Sequence, residues 1–193
     1  MIQQGIILRS FLPQDIRVII FDRMHGRFSA RLRKEERCGV IQGSLVHYSV
    51  REFKQYCVVD TLEAISLPAA SLCIDLQFLH HVLEVLRMFL LDRIVCRGVF
   101  EHCLLLYREE MNLFLESTQF KHLFLMKLFA LLGIFPEEKI FHRLRHINAL
   151  IAGSFESMLL QESTVSLDDV RAWLLGCIYT HHHVSIFTTL TIY

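Results

Sequence analysis

The hydrophobic period of the chain changes once, near Leu67-Pro68, and this change constrains the fold more than any other feature. Before it, apolar and polar residues alternate, which is typical of half-buried strands. After it, apolar residues recur every three or four positions, as on the buried face of a helix. The sequence therefore predicts an α+β protein with two domains. Residues 1–67 form a barrel of strands, and residues 68–193 form an all-α domain with a C-terminal tail.

The strand at 27–33 is the most informative segment of the first domain. Phe28, Ala30 and Leu32 share one face, and three arginines and a serine occupy the other. A period of two places the first set in a core and the second in water. Four more strands are predicted at 5–11, 16–21, 46–50 and 56–65. Five short strands without intervening helices predict a small closed barrel, and a five-stranded OB-fold fits this count.

The second domain reads as a series of helices. They are predicted at 72–90, 99–115, 120–132 and 137–160, and a last helix begins at the N-cap Ser166 and contains Trp173. The β-branched tail at 184–193 is either a strand or an extended arm. Charges interrupt every long apolar run, so we predict no membrane span. The N-terminus has no basic start, long apolar stretch and small-residue cleavage site, so we predict no secretory signal. The hydrophobic fraction of 53% is assigned to wide buried helix faces.

Charge is distributed unevenly, although the net charge is zero. Residues 1–60 contain ten Lys/Arg and six Asp/Glu, and residues 61–193 contain ten and fourteen. A basic half is compatible with a nucleic-acid face on the barrel. The six cysteines form no C-x₂-C pair, so no zinc half-site is predicted. Because a chain this apolar needs no disulfides to fold, we predict reduced, mostly buried thiols.

Three blocks of the sequence resemble the RecO family of bacterial recombination mediators. The first comprises G-I-I-L-R at 5–9, V-I-I-F at 18–21 and H-G-R-F-S-A at 25–30. The second is K-L-F-A-L-L-G-I-F-P at 127–136, which is similar to a family helix ending in L-L-G-Y-x-P. The third is the last helix followed by S-I-F at 185–187. The chain looks like a divergent member without the zinc module, since no cysteine lies between Cys103 and Cys177.

The resemblance implies a DNA repair and recombination mediator that is not an enzyme and has no cofactor. Its barrel would bind single-stranded DNA, and its helical domain would bind the tail of single-strand-binding protein. With RecR as a further partner, it would load the recombinase and anneal complementary strands. The expected location is the bacterial cytoplasm, in association with the nucleoid.

Cationic side chains on the barrel are the candidate DNA-binding residues, because a single strand needs cations along a groove and flat side chains for stacking. They are Arg9, Arg17, His25, Arg27, Arg31, Arg33, Lys34 and Arg37. Tyr48 is a further stacking candidate, although its parity is that of the core. The large apolar residues of the helical domain are assigned to its core.

Two alternatives stay open. One is a protein-interaction module that has lost DNA binding, which Glu35 and Glu36 favour because they dilute the basic loop. The other is a metal-dependent enzyme that uses histidines, since a metal site needs three or four converging ligands. The histidine groupings are Glu138, His142 and His146; His80 and Glu84; and His181, His182 and His183. No phosphate loop, nucleophile elbow or H-E-x-x-H motif is present.

Overall fold

The chain forms two compact units, Met1–Asn112 and Leu113–Tyr193. A computed structural model describes residues 2–12, 15–33, 40–54, 56–66, 75–111, 114, 116–139, 144–160 and 166–180. The first unit extends past the strands and includes two helices, whereas the sequence placed the domain boundary at 67/68. Residues 67–74, where the hydrophobic period changes, lie outside the described ranges.

Five strands close into a barrel in the order β1-β2-β3-β5-β4, which confirms the predicted α+β class and the N-terminal barrel. β3 and β5 run parallel, and the other neighbouring strands are antiparallel. The strands are β1 (Gln3–Ser10), β2 (Arg17–Asp22), β3 (Gly26–Leu32), β4 (Leu45–Glu52) and β5 (Cys57–Ser66).

The alternation predicted for β3 is confirmed. Phe28, Ala30 and Leu32 are buried in the barrel core together with Ile7, Val18, Ile20, Val46, Tyr48 and Val59. Ser29 and Arg31 are exposed on the opposite face of the strand. The period of two thus separates a closed apolar core from an outer polar surface, as the pleat of a strand requires.

Two helices follow the barrel within the first unit, α1 (Leu76–Phe89) and α2 (Arg97–Leu104). The Asp75 side chain caps α1 by accepting hydrogen bonds from two backbone N–H groups of its first turn. The predicted single helix over 99–115 is wrong, because α2 ends at Leu104 and 3₁₀ turns follow at Leu105–Tyr107 and Glu109–Met111. The Tyr107 hydroxyl donates a hydrogen bond to the Gly43 carbonyl at 2.7 Å, which ties this turn to the barrel.

Helices make up the described part of the second unit. They are α3 (Thr118–Leu131), α4 (Arg145–Ala152), α5 (Phe155–Leu160) and α6 (Leu167–Thr180). The predicted single helix over 137–160 is wrong, because the chain turns at Gly153, whose backbone is extended. The Lys127 Nζ donates to the Ile151 and Gly153 carbonyls at 2.6 and 2.7 Å, and so caps the end of α4. α6 begins after Ser166 and buries Trp173, as predicted. The tail at 184–193 lies outside the described residues.

Candidate nucleic-acid interface

Arg9 and Arg17, the first group of predicted cations, lie at the end of β1 and the start of β2. A bulge between Ile7 and Arg9 shifts the register of β1, and Arg9 is exposed. The Arg9 guanidinium lies over the Phe11 ring, with 4.5 Å between Cζ and the ring centroid. Arg17 lies near the same ring at 5.4 Å. One aromatic ring is therefore flanked by two guanidiniums, an arrangement that cation–π attraction stabilises.

The second group lies on β3 and on the hairpin between β4 and β5. Arg31 is exposed, and its Cζ lies 4.9 Å from the centroid of the Tyr56 ring. Tyr56 stacks on Phe53, with 5.0 Å between ring centroids and 19° between ring planes. The Phe53 N–H donates to the Tyr56 carbonyl at 2.8 Å, which closes the hairpin and holds both rings on one side. Phe53 and Tyr56 remain 46% and 42% exposed, so the stacked pair keeps aromatic surface that a flat ligand could contact.

Strand pairing joins the two groups, because Arg17 in β2 and Arg31 in β3 are direct neighbours in the register. The combined surface runs Arg9, Phe11, Arg17, Arg31, Tyr56 and Phe53, and we call it the cation–aromatic strip. Its parts come from the end of β1, the loop after it, β2, β3 and the β4–β5 hairpin. The strip alternates positive charges with flat rings, which is the chemistry that binds phosphates and bases of a single strand.

Carboxylates neutralise some of the predicted cations. Arg17 pairs with Asp15, and the hydrogen bond from Arg17 lowers the pKa of that carboxyl group. Arg33 pairs with Asp60, which also lies 3.3 Å from Arg51. Lys34 and Arg37 lie outside the described residues. Arg9 and Arg31 pair with no carboxylate of the described chain, so they carry the strongest unbalanced charge of the strip.

Arg27 has a different environment, although it shares the outward parity of Arg31. Its Nε donates to Asp92 Oδ1 at 2.7 Å, and its Nη1 donates to the Arg87 carbonyl at 2.5 Å. Its backbone carbonyl accepts from the Arg93 N–H at 2.8 Å. The side chain is only 20% exposed. Arg27 therefore attaches β3 to the end of α1 and to the segment that follows it.

His25 and Tyr48 belong to a network at one end of the barrel. Asp22 is 1% exposed, and its carboxylate accepts from the Tyr48 hydroxyl and contacts His25 Nδ1 at 2.7 Å. The carboxylate also accepts from the backbone N–H groups of Met24 and His25. Burial and the hydrogen bond to Asp22 raise the pKa of Tyr48. Because Tyr48 is fully buried, it cannot stack on a base, and that expectation was wrong.

The sequence reasoning missed the aromatic members of the strip. Phe53 and Tyr56 lie in R-E-F-K-Q-Y at 51–56, where Phe53 falls between two predicted strands and Tyr56 is the first residue of the second strand. Two large aromatic residues in a short, charged connection were the available signal, since such a loop is exposed and buries little apolar surface. Phe11 likewise lies directly after β1, which ends at Ser10. The importance of these rings becomes visible once the fold brings Arg31 beside Tyr56.

The histidine groupings form no metal site in the described ranges, where no three His, Cys, Asp or Glu side chains converge on one point. His146 lies 3.2 Å from Asp169. His142 and the cluster 181–183 lie outside the described residues. Among the helices that the structure describes, none has both the length and the apolar content needed to cross a membrane.

Comparisons with known proteins identify no family for this chain, so the proposed function depends on the geometry of the site. The chain matches no model of a protein family. A search of curated proteins also found no match.

Proposed function

We propose that the barrel binds single-stranded nucleic acid along the cation–aromatic strip. The observation that carries the proposal is the exposed stack of Phe53 on Tyr56 with the Arg31 guanidinium over Tyr56. Burial of a large aromatic ring is favourable, yet these two rings keep nearly half of their surface in water. Stacking of a base on such a ring contributes about 1–3 kcal/mol and tolerates any base sequence.

The strand order supports assigning the barrel to the OB-fold. It is closed as β1-β2-β3-β5-β4 with one parallel pair, β3 with β5. OB-folds bind oligonucleotides on the face of strands 2 and 3 and on the loops between strands 1 and 2 and between strands 4 and 5. The strip follows this path, with Phe11 after β1, Arg17 on β2, Arg31 on β3, and Phe53 and Tyr56 between β4 and β5.

In this proposal the chain is a recombination mediator that resembles RecO. It displaces single-strand-binding protein, promotes recombinase loading and anneals complementary strands, without catalysing a covalent step. RecR, the tail of single-strand-binding protein and a bacterial cytoplasmic location with the nucleoid follow from the resemblance. We propose that RecR and the tail of single-strand-binding protein bind the helices and not the strip.

Fluorescence anisotropy with a labelled single-stranded oligonucleotide tests the proposal. We expect Phe53→Ala with Tyr56→Ala to weaken binding at least about thirtyfold, because two stacking contacts of about 1–3 kcal/mol each are lost. If Arg9, Arg17 and Arg31 each contact one phosphate, log affinity against log salt has a slope of about −2. Arg31→Gln is expected to decrease the magnitude of that slope by about 0.7.

The matched control is Leu91→Ala, which removes a 68% exposed apolar side chain outside the strip. It is expected to leave affinity unchanged. Circular dichroism of each variant verifies that the barrel is intact. Absence of wild-type binding at low salt, or equal affinity of the wild type and the Phe53/Tyr56 double variant, would contradict the proposal.

The second candidate is a protein-interaction module, which a cleft in the second unit favours. This cleft has a volume of about 270 Å³, and its lining is mainly apolar: Ala130, Leu131, Phe135, Ile151 and Ala152, with Lys127 and Asn148. Clefts between helices accept apolar anchors of a peptide. Loss of peptide binding on Leu131→Asp, in a chain that shows no oligonucleotide binding, would favour this candidate over the first.

A further inference from the structure

Arg87, in the last turn of α1, has an environment that its place in the helix does not explain. Its side chain is half-buried, and its guanidinium forms no ion pair or hydrogen bond with the described residues. Its backbone carbonyl is the group that accepts from Arg27. A guanidinium carries five N–H donors and is costly to desolvate without a hydrogen-bonding partner.

Two other arginines, Arg9 and Arg27, repel the charge of Arg87. Burial is the main factor that lowers its pKa, and the charges of Arg9 and Arg27 lower it further. Glu84, one turn earlier, counteracts these charges in part. Arg27 is neutralised by Asp92 at 2.7 Å. The described part of the chain supplies Arg9 with no carboxylate, so Arg9 and Arg87 together form a positive surface that an anion would stabilise.

The position of this surface indicates which anion it would bind. Arg9 is the first residue of the cation–aromatic strip and lies over Phe11. α1 and β1 contact one another within the first unit. The Arg87 carbonyl accepts from Arg27, so the last turn of α1 lies against the outer face of β3, on which Arg31 also lies. A nucleic-acid strand bound along the strip would therefore pass close to the end of α1. Phosphates repeat along such a strand at each nucleotide, so a further cation at the end of the strip extends the same contact pattern.

We propose that Arg87 is a phosphate contact of the nucleic-acid site, so that the bound strand continues from the barrel surface onto α1. This inference rests on the proposed function and deepens it, because it makes the first helix part of the interface. It goes beyond the barrel face that an OB-fold alone would supply. A bound phosphate would also offset the repulsion that the charges of Arg9 and Arg27 exert on Arg87.

A purely structural role for Arg87 can be distinguished experimentally from a phosphate contact. A cation in the last turn of a helix stabilises the helix through its interaction with the helix dipole, and the loss of this effect appears as a lower melting temperature. A phosphate contact appears instead in the salt dependence of binding, because each contact releases counterions from the strand. The two readouts are independent of each other.

The experiment measures oligonucleotide affinity at several salt concentrations for the wild type and for Arg87→Gln. We expect the slope of log affinity against log salt to decrease in magnitude by about 0.7, and the affinity at 0.1 M salt to fall about fivefold. Arg87→Lys is expected to keep the wild-type slope, because it keeps the charge. The matched control is Arg23→Gln, which removes the same charge where the guanidinium pairs with Glu101 at 3.2 Å.

A second variant keeps the test valid if Arg87→Gln lowers the melting temperature strongly. Glu84→Gln removes the acid that competes for Arg87 and is expected to tighten binding at low salt. If Arg87→Gln behaves like Arg23→Gln, or Glu84→Gln leaves a folded protein with unchanged affinity, Arg87 is no phosphate contact and the strip itself still stands. If the wild type binds no oligonucleotide, the proposed function fails, and this inference fails with it.

Discussion

Acidification is expected to destabilise the second unit through His122, in the middle of α3. The imidazole is fully buried, and neither ring nitrogen has a hydrogen-bond partner among the described residues. Burial, with a smaller contribution from the charge of Arg171, lowers the pKa of His122 from 6.5 to about 4. The folded chain therefore holds this side chain neutral at a pH where an exposed histidine is already protonated.

The sign of the effect follows from which state binds the proton first. Below pH 6.5 the unfolded chain protonates this histidine, whereas the folded chain does so near pH 4. The associated stability is therefore complete above pH 6.5 and is lost progressively as the pH falls toward 4. For these two pKa values the free energy of unfolding falls by about 2 kcal/mol between pH 7 and pH 5.

Urea unfolding followed by tryptophan fluorescence measures this loss. Trp173 is the single tryptophan and lies buried in α6, within the same unit as His122. We expect His122→Leu to keep the stability at pH 7, since no hydrogen bond of the imidazole is lost, and to remove about 2 kcal/mol of pH dependence. The control is His146→Gln, an exposed histidine. Equal pH dependence in the wild type and His122→Leu would refute the reasoning.

Two further predictions concern the barrel, and circular dichroism is the measurement because the single tryptophan lies in the other unit. Asp22→Ala is expected to cost about 3 kcal/mol or more, since it leaves the buried Tyr48 hydroxyl and nearby N–H groups without an acceptor. Tyr48→Phe, which removes one hydrogen bond, is expected to cost about 1 kcal/mol, and equal losses would contradict this explanation. Gly26→Ala is expected to cost more than about 2 kcal/mol, because its φ is +70° and a Cβ would lie 2.0 Å from the Ile94 carbonyl oxygen. A smaller loss would show that the chain around Ile94 moves aside.

The barrel was predictable because strand parity is a local property. Alternation in 27–33 assigned Phe28, Ala30 and Leu32 to the core, and each is 2% exposed. The helix boundaries were less predictable, because tertiary contacts decide them. The hydroxyl of Tyr107 fixes the turn after α2, and Lys127 caps the end of α4 from another helix. Neither contact leaves a trace in the hydrophobic period.

The candidate interface was predictable only in part, since it depends on which strands become neighbours. The cations of the strip were identifiable as outward-facing residues on strands. The rings were not, because the parallel pairing of β3 with β5 brings Tyr56 to Arg31 across a large separation in sequence. Arg87 was not identifiable either, because it lies on a helix that the sequence assigned to another domain.

Arg27 and Arg31 show why parity alone cannot assign a function. Both point outward from β3, but Arg27 lies at the end that α1 covers, and Arg31 lies at the end beside the aromatic hairpin. Substituting both would therefore combine a loss of attachment between β3 and α1 with a loss of the exposed charge. A loss of binding in that double variant would not distinguish an unfolded barrel from a damaged interface. Arg31→Gln alone is the informative change, because the contact that it removes lies over a ring at the surface and not in the packing of the unit.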